Sequence, residues 1–320
     1  MAKLFIKDFV PDEVVTTTLL VRKKELPKKK TGEPYLKVIL TDKTGTITAM
    51  MWSNPEEAAT GFSEEDFVRV KGQVSLYNNR LQLVLHKIER IPEEEIDPLD
   101  YLPTTSYDIE EMYGELLSMI KEIKNPHLSK LLSLIFSDDE FVSRFKIAPA
   151  AKSMHHAYLG GLLEHTLSVV RLALAVSPLY PMIDRDLLLT GAVLHDLGKV
   201  REMRIGSDFN YTDEGRLLGH LMIELLEIER LIANLPDFPE ELALQLKHIL
   251  ISHHGNLEFG SPKRPKTLEA LILYYLDDLD SKLNAMLGAI NDTALTGDWS
   301  GYNRLLERYI CRKRPNEKRG

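Results

Sequence analysis

GAVLHDLGK, residues 191–199, is the stretch on which the reading of this chain turns. Its apolar residues recur at helical spacing, and the run Arg185–Val200 is expected to form one helix. Adjacent side chains on a helix diverge by about 100°, so His195 and Asp196 can straddle one metal ion lying against that face. Lys199 follows one turn later on the same face. An ammonium group is a poor metal ligand but well suited to holding a phosphate oxygen. Gly198 leaves the helix surface bare, so a substrate or a neighbouring helix can come close.

Further ligands must come from outside this stretch, because N/O metal sites need at least four donors. The chain has ten histidines, and eight of them fall between His155 and His254. His165, in GGLLEHT, lies on the preceding helix. Asp277, Asp278 and Asp280 lie in the apolar run LILYYLDDLDSK, where an unpaired buried carboxylate is costly and a metal is an economical partner. If that helix is amphipathic, its aspartates face water instead. His220 in RLLGH and the pair His253-His254 in SHHG are either further ligands or, respectively, a satisfied core histidine and a helix cap before Gly255.

An early His, a His-Asp pair followed by Gly-Lys, and a late Asp resemble the HD superfamily of metal-dependent phosphohydrolases over about residues 150–290. The resemblance implies that His165, His195, Asp196 and Asp277 hold a first ion. It further implies that His220, His253 and His254 hold a second, with Asp196 bridging the two and serving with Lys199 as a catalytic residue. Two such divalent ions would generate hydroxide for in-line attack on phosphorus. Donors without thiolate suit Mn²⁺, Co²⁺, Fe²⁺ or Zn²⁺. Two competing chemistries lack their motifs: there is no G-x-S-x-G, and Val200 stands where a P-loop requires Ser or Thr.

Residues 1–90 have a different period. Alternating runs at Val14–Val21, Tyr35–Leu40, Ile47–Trp52, Phe67–Tyr77 and Leu81–Ile88 predict strands, with a helix at Pro55–Thr60 after the third. Five strands with a helix in that place describe an OB-fold barrel; an SH3-type barrel is the runner-up. Residues 1–92 carry 15 Lys and Arg against 12 Asp and Glu, leaving 25 against 36 in the remainder, so the front is mildly basic within a chain of net charge −8. Tyr35, Trp52 and Tyr77 are candidates for stacking on bases, with Arg80 and the run RKKELPKKK (residues 22–30) in or near loops that commonly carry OB contacts. Read blandly, the aromatics are core residues and the basic run is a solvated loop.

Residues 91–107, with three prolines and five acidic residues, predict an extended linker. Residues 108–150 predict a helical connector, 151–310 the HD domain, and 311–320 a basic tail. Helices are expected at Ile109–Ile123, Pro126–Phe136, Asp139–Phe145, Gly161–Val176, Leu217–Leu235, Glu240–Ser252, Leu268–Asn291 and Tyr302–Tyr309, with a β-hairpin inserted at Glu202–Tyr211. The expected architecture is therefore multidomain: an N-terminal all-β OB-fold barrel, then an all-α HD-type domain carrying a small hairpin.

Composition is that of a soluble globular protein, 44% hydrophobic and 28% charged. No apolar run approaches the roughly 20 residues of a membrane span, and the N-terminus has no signal-like apolar region, so a cytoplasmic address is expected with no membrane partner. Cys311 is the only cysteine, which excludes an internal disulfide and any Cys-cluster metal site.

The stretches YLKVILTDKTGTITAMMW, HHAYLGGLLEHT, VLHDLGK, ISHHG and EALILYYLDDLDSK, in this order, resemble the YhaM-type 3′-to-5′ exoribonucleases over nearly the whole chain. That resemblance implies a manganese- or cobalt-stimulated enzyme that removes mononucleotides from the 3′ end of single-stranded RNA, and from DNA as an extension. It also puts His155 and His156 against a substrate phosphate; read locally, they are a helix-start polar patch. A small-nucleotide phosphohydrolase whose barrel serves assembly is the alternative. A third is a nucleic-acid adaptor retaining one structural ion. A homo-oligomer is compatible with each.

Overall fold

The structure is a computed structural model describing residues 3–29, 31–77, 80–152, 156–291, 297–303 and 306–312. It divides into two compact units, Met1–Thr104 with Ile205–Asp208, and Thr105–Arg204 with Phe209–Gly320.

The first unit is a closed five-stranded barrel in the order β1-β2-β3-β5-β4. Its strands are β1 (Val14–Glu25), β2 (Leu36–Asp42), β3 (Gly45–Met51), β4 (Phe67–Tyr77) and β5 (Arg80–Arg90). Helix α1 (Pro55–Thr60) falls between β3 and β4, which is the OB arrangement and rules out the SH3-type runner-up. Alternation does the folding: Val15, Leu19, Val21, Val38, Leu40 and Val70 point into the barrel core. The barrel closes where β3 pairs in parallel with β5, Thr48 opposite Gln82.

Two expectations for this unit are corrected. Strand β1 continues past a bulge between Val21 and Lys23, so Arg22, Lys23 and Lys24 lie in a strand instead of a loop. Residues 91–104 are not a free linker. Tyr101 is 3% exposed, stacks edge-on against Phe67 with centroids 4.9 Å apart, and lies 2.5 Å from the Thr18 hydroxyl. Ile91 and Leu20 complete this satellite cluster. Burying an aromatic of this size outweighs the extended preference of the flanking prolines.

The second unit is helical: α2 (Ile109–Ile120), α3 (Pro126–Ile135), α4 (Asp139–Ile147), α5 (Gly161–Val176), α6 (Arg185–Leu194), α7 (Lys199–Glu202), α8 (Asp213–Ala233), α9 (Glu240–Ser252) and α10 (Leu268–Asn291). The expected hairpin is present as β6 (Met203–Ile205) and β7 (Phe209–Tyr211). Side-chain caps start several helices: Asp108, Asn125, Asp138, Asp184 and Thr212 each accept a first-turn N–H. Leu116 of α2, Leu131 of α3 and Phe145 of α4 share one core with Leu163 of α5, Leu188 of α6 and Leu273 of α10. The segment 108–150 is therefore part of this unit and not a connector. Gly161–Leu179 is apolar and long enough to cross a bilayer by composition, yet half of it is buried inside this unit.

The expected helix at Tyr302–Tyr309 is absent among the described residues. Asn303 bridges Arg308, and its side-chain oxygen accepts from the Leu306 N–H at 3.0 Å, a local bond that competes with helix. His155, the turn residues Asn78-Asn79, Lys30 and tail residues 313–320 lie outside the described residues.

Candidate metal centre

The centre forms where helices end. Helix α6 stops at Leu194, and its backbone then tightens: Leu197 N–H bonds Leu194 O, Lys199 N–H bonds Asp196 O, and Val200 N–H bonds Leu197 O. In such i→i+3 spacing, side chains three apart eclipse, which brings the Lys199 ammonium to 2.7 Å from Asp196 Oδ2. The unbroken helix expected through Val200 is thus corrected to a helix, a 3₁₀-like turn and α7. Gly198 is the contact point: a Cβ there would meet the His220 carbonyl oxygen at 2.3 Å. The close neighbour is helix α8.

Helix α8 is kinked at Gly219, with φ 71° and ψ 157°, a backbone state that glycine adopts without a Cβ penalty. The kink frees the His220 N–H, which Glu202 Oε1 accepts at 3.0 Å. His253 and His254 follow the last residue of α9. His165 sits within α5 and Asp277 within α10.

These elements bring together the seven residues read as metal ligands, in two clusters. In the first, His165 Nε2 lies 3.1 Å from His195 Nε2, 3.2 Å from Asp277 Oδ1 and 3.4 Å from Asp196 Oδ2. In the second, His220 Nε2 lies 3.3 Å from His254 Nε2 and 3.5 Å from Asp196 Oδ1, and His253 Nε2 lies 3.8 Å from that same Oδ1. Asp196 thus turns one oxygen to each cluster. Donors bound at about 2.1 Å stand roughly 3.0–3.4 Å apart around one ion. The shortest spacings in each cluster lie in that range, and those of 3.5–3.9 Å need the donors to close by a few tenths of an ångström around a divalent cation. Asp196 Oδ1 and His253 Nε2 are buried without a hydrogen-bond partner, which is the signature of polar atoms made for an ion.

The electrostatics agree. Burial opposes ionisation of Asp196, but Lys199, His195 and His220 overcome it and hold the carboxyl well below its usual range. Burial also opposes ionisation of Asp277, which the His165 hydrogen bond holds low. Burial pushes the His195 and His253 rings down, the latter helped by His254, so both offer lone pairs at neutral pH. His165 behaves oppositely: burial pushes it down, but hydrogen bonds to Asp277 and Asp280 win and raise it to about 10.

Four side chains are placed where the sequence did not resolve them. Asp280 is buried, accepts from His165 Nδ1 at 2.7 Å and pairs with His156 Nε2 at 3.1 Å and the Ser168 hydroxyl. Asp278 faces water and pairs with Lys282, so the bland alternative holds for it alone. Glu202 lies 3.2 Å from His220 Nδ1. Glu224, one turn beyond His220, is buried with neither carboxyl oxygen partnered. The i,i+3 spacing of Asp277 and Asp280 was the available signal for Asp280; Glu202 and Glu224 carried none. His156 is 3% exposed and held by Asp280 and the Tyr158 hydroxyl at 2.9 Å. It therefore stands behind His165 instead of on a surface a phosphate can reach.

In the barrel, Tyr35 and Trp52 stack with centroids 4.8 Å apart, Lys29 lies 5.2 Å over the Trp52 ring, and Trp52 is 45% exposed. Tyr77 and Arg80 face each other at the β4–β5 turn, both exposed. The β3–β5 register puts Arg80 level with Thr46, on the order of 20 Å along the strands from Trp52. The four residues therefore form two separate patches. Of the basic run, Arg22 pairs with Glu65, Lys23 with Glu25, and Lys24 with the carbonyls of Ala59 and Phe62.

An OB barrel and an HD-type helical unit with a His/Asp centre define the class of protein. Residues 15–91 match the family described as OB-fold nucleic acid binding domain, and residues 162–282 match the HD domain family. The chain is 37% identical over 275 residues to the 3′-5′ exoribonuclease YhaM of Bacillus subtilis (strain 168), covering 86% of this chain and 87% of that one. It belongs to the YhaM family. Among solved structures, the second OB-fold domain of replication protein A from Methanococcus maripaludis is 21% identical over 28% of this chain and 95% of its own, with a TM-score of 0.23. Schizosaccharomyces pombe Pot1pC bound to single-stranded DNA is 16% identical over 30% of this chain and 90% of its own, with a TM-score of 0.27. The barrel's own topology, and not these distant likenesses, defines its fold.

Proposed function

We propose that this chain is a metal-dependent 3′-to-5′ exonuclease of single-stranded RNA that releases 5′-mononucleotides. The observation that carries the reading is Asp196, whose two oxygens each face one cluster of imidazoles. Membership of the YhaM family supports the polarity and the polymer.

His165, His195, Asp277 and Asp196 would hold one divalent ion and His220, His253, His254 and Asp196 a second, and the ions would supply water activation and charge neutralisation. The imidazole and carboxylate donors suit Mn²⁺, Co²⁺, Fe²⁺ or Zn²⁺ alike; manganese is put first on the resemblance to the YhaM-type enzymes and not on the donors. The chain's own residues do the rest. Asp196 and Asp277 bring negative charge that offsets the cations. Lys199, kept protonated against burial by Asp196, lies 2.7 Å from Asp196 Oδ2 at the edge of the centre and takes a non-bridging phosphate oxygen. In the barrel, the Tyr35–Trp52 pair stacks bases with Lys29 beside it, while Tyr77 and Arg80 offer a second contact.

The test is product analysis on matched RNA and DNA strands with Mn²⁺, Co²⁺ and Mg²⁺ in turn. A 3′-labelled RNA should release its label at once as a 5′-mononucleotide, and His195→Ala or Asp196→Ala should abolish this. No metal-dependent cleavage of either strand under any of the three ions would overturn the reading.

A further inference from the structure

The centre presents its imidazoles in one orientation, and the atoms behind them explain why. His195 Nδ1 lies 2.9 Å from the Ala192 carbonyl and His253 Nδ1 lies 2.8 Å from the Leu250 carbonyl. A carbonyl oxygen can only accept, so both rings carry their proton on Nδ1 and turn Nε2 inward. The other two rings with a resolved outer partner are backed by carboxylates. His165 Nδ1 donates to Asp280 Oδ2 at 2.7 Å, and His220 Nδ1 lies 3.2 Å from Glu202 Oε1. Each cluster therefore has one carbonyl-backed ring and one carboxylate-backed ring.

The two carboxylates are held from several directions. Asp280, 9% exposed, is anchored by the Ser168 hydroxyl on Oδ1 and by His156 Nε2 on Oδ2. Glu202, 8% exposed, also accepts the backbone N–H of His220 that the Gly219 kink sets free. Neither carboxylate belongs to the set of seven inward-facing ligands. A carbonyl fixes a ring's tautomer; a fixed carboxylate does so and also makes the inward nitrogen more basic, hence a stronger donor to a cation.

We propose that Asp280 and Glu202 are positioning residues, one for each metal subsite, and that they set the two metal affinities separately. Asp280 acts through His165 on the first ion, and Glu202 acts through His220 on the second. The proposal rests on the metal centre of the preceding reading but not on its substrate.

The experiment is therefore a binding measurement without RNA. Metal-free full-length protein is titrated with Mn²⁺ by calorimetry, and bound manganese is counted after equilibrium dialysis. Wild type should bind two ions. Asp280→Asn should weaken the first by about 10–100-fold while leaving the second within about threefold, and Glu202→Gln should do the reverse. Ser168→Ala, which removes one anchor of Asp280, should give a smaller shift in the first ion alone; it serves in place of Asp280→Asn if that variant does not fold. Thermal melts of each metal-free variant check folding. Equal weakening of both ions by either variant, or no shift beyond threefold in both, would overturn the proposal while leaving the exonuclease reading standing. A wild type that binds no manganese would overturn both.

Discussion

Gly198→Ala is a small change with a large expected consequence. A Cβ on residue 198 would lie 2.3 Å from the His220 carbonyl oxygen and 3.0 Å from Glu224 Cβ, whereas ordinary contact begins near 3.4 Å. The two backbones must separate by roughly 1 Å, and overpacking of this kind costs about 1–3 kcal/mol. For a helical unit of this size that lowers the melting midpoint by about 2–12 °C. The displaced segment carries His220, so the second ion loses affinity, and a 1 Å misplacement of a positioned group costs about 100-fold in rate. The assay is RNA hydrolysis across a Mn²⁺ series, with a melting curve for each variant. Rate should fall most at low Mn²⁺ and recover in part at high Mn²⁺. Gly114→Ala, with nothing within 4 Å of the new Cβ, is the control and should not lower the midpoint. Wild-type melting and wild-type Mn²⁺ dependence in Gly198→Ala would refute the close-approach argument.

Other outcomes follow from single features. His165 holds its proton up to about 10 in the metal-free protein, so loading at pH 7 must displace it. Calorimetry in buffers of different ionisation heat should show about one proton released with the first ion, and none released counts against the assignment. Because the folded value lies above the ordinary 6.5, the metal-free protein gains stability from this ring below that pH and loses it as pH climbs through about 10. Burial pushes the Glu224 carboxyl well above its usual range. Glu224→Met should therefore raise stability by about 1–3 kcal/mol in urea unfolding, and remove a decline of stability as pH rises above 4.5; an unchanged or lower midpoint would contradict it. Trp52→Ala should weaken binding of single-stranded RNA by roughly 5–150-fold, the worth of one stacked base, while the turnover rate at saturation is kept. Unchanged affinity would remove the Tyr35–Trp52 pair from the binding surface.

Periodicity carried most of the architecture. Period-two alternation from Val14 to Ile88 and the Pro55–Thr60 helix gave a barrel of the right kind, and the run Leu268–Asn291 forms a helix with the expected bounds. The seven ligand candidates converge because their chemistry is costly to bury in any other company. What stayed hidden depends on contacts between distant segments. Nothing in HDLGK announces that the backbone tightens there, or that α8 comes so close to Gly198 that a Cβ would not fit. Asp280 shares a helix face with Asp277 by its i,i+3 spacing, but only the contacts with His156, His165 and Ser168 show that it is buried while Asp278 is not. Tyr101 sits in an acidic, proline-rich stretch, yet the pocket formed by Phe67 and Leu20 captures it. Arg22, Lys23 and Lys24 read as loop because a β-bulge lets a strand run on through charged residues.

The kink at Gly219 has a consequence for how ions come and go. Helix ends and kinks open at low cost, while the middles of packed helices do not. His220, His253 and His254 all lie beside such ends, as does His195 just past α6, whereas His165 and Asp277, also of the first cluster, are embedded within α5 and α10. The two ions should therefore exchange on different clocks. The second would exchange with the free metal around the protein faster than the first, so that metal supply would act as a throttle on the enzyme without unfolding any part of it.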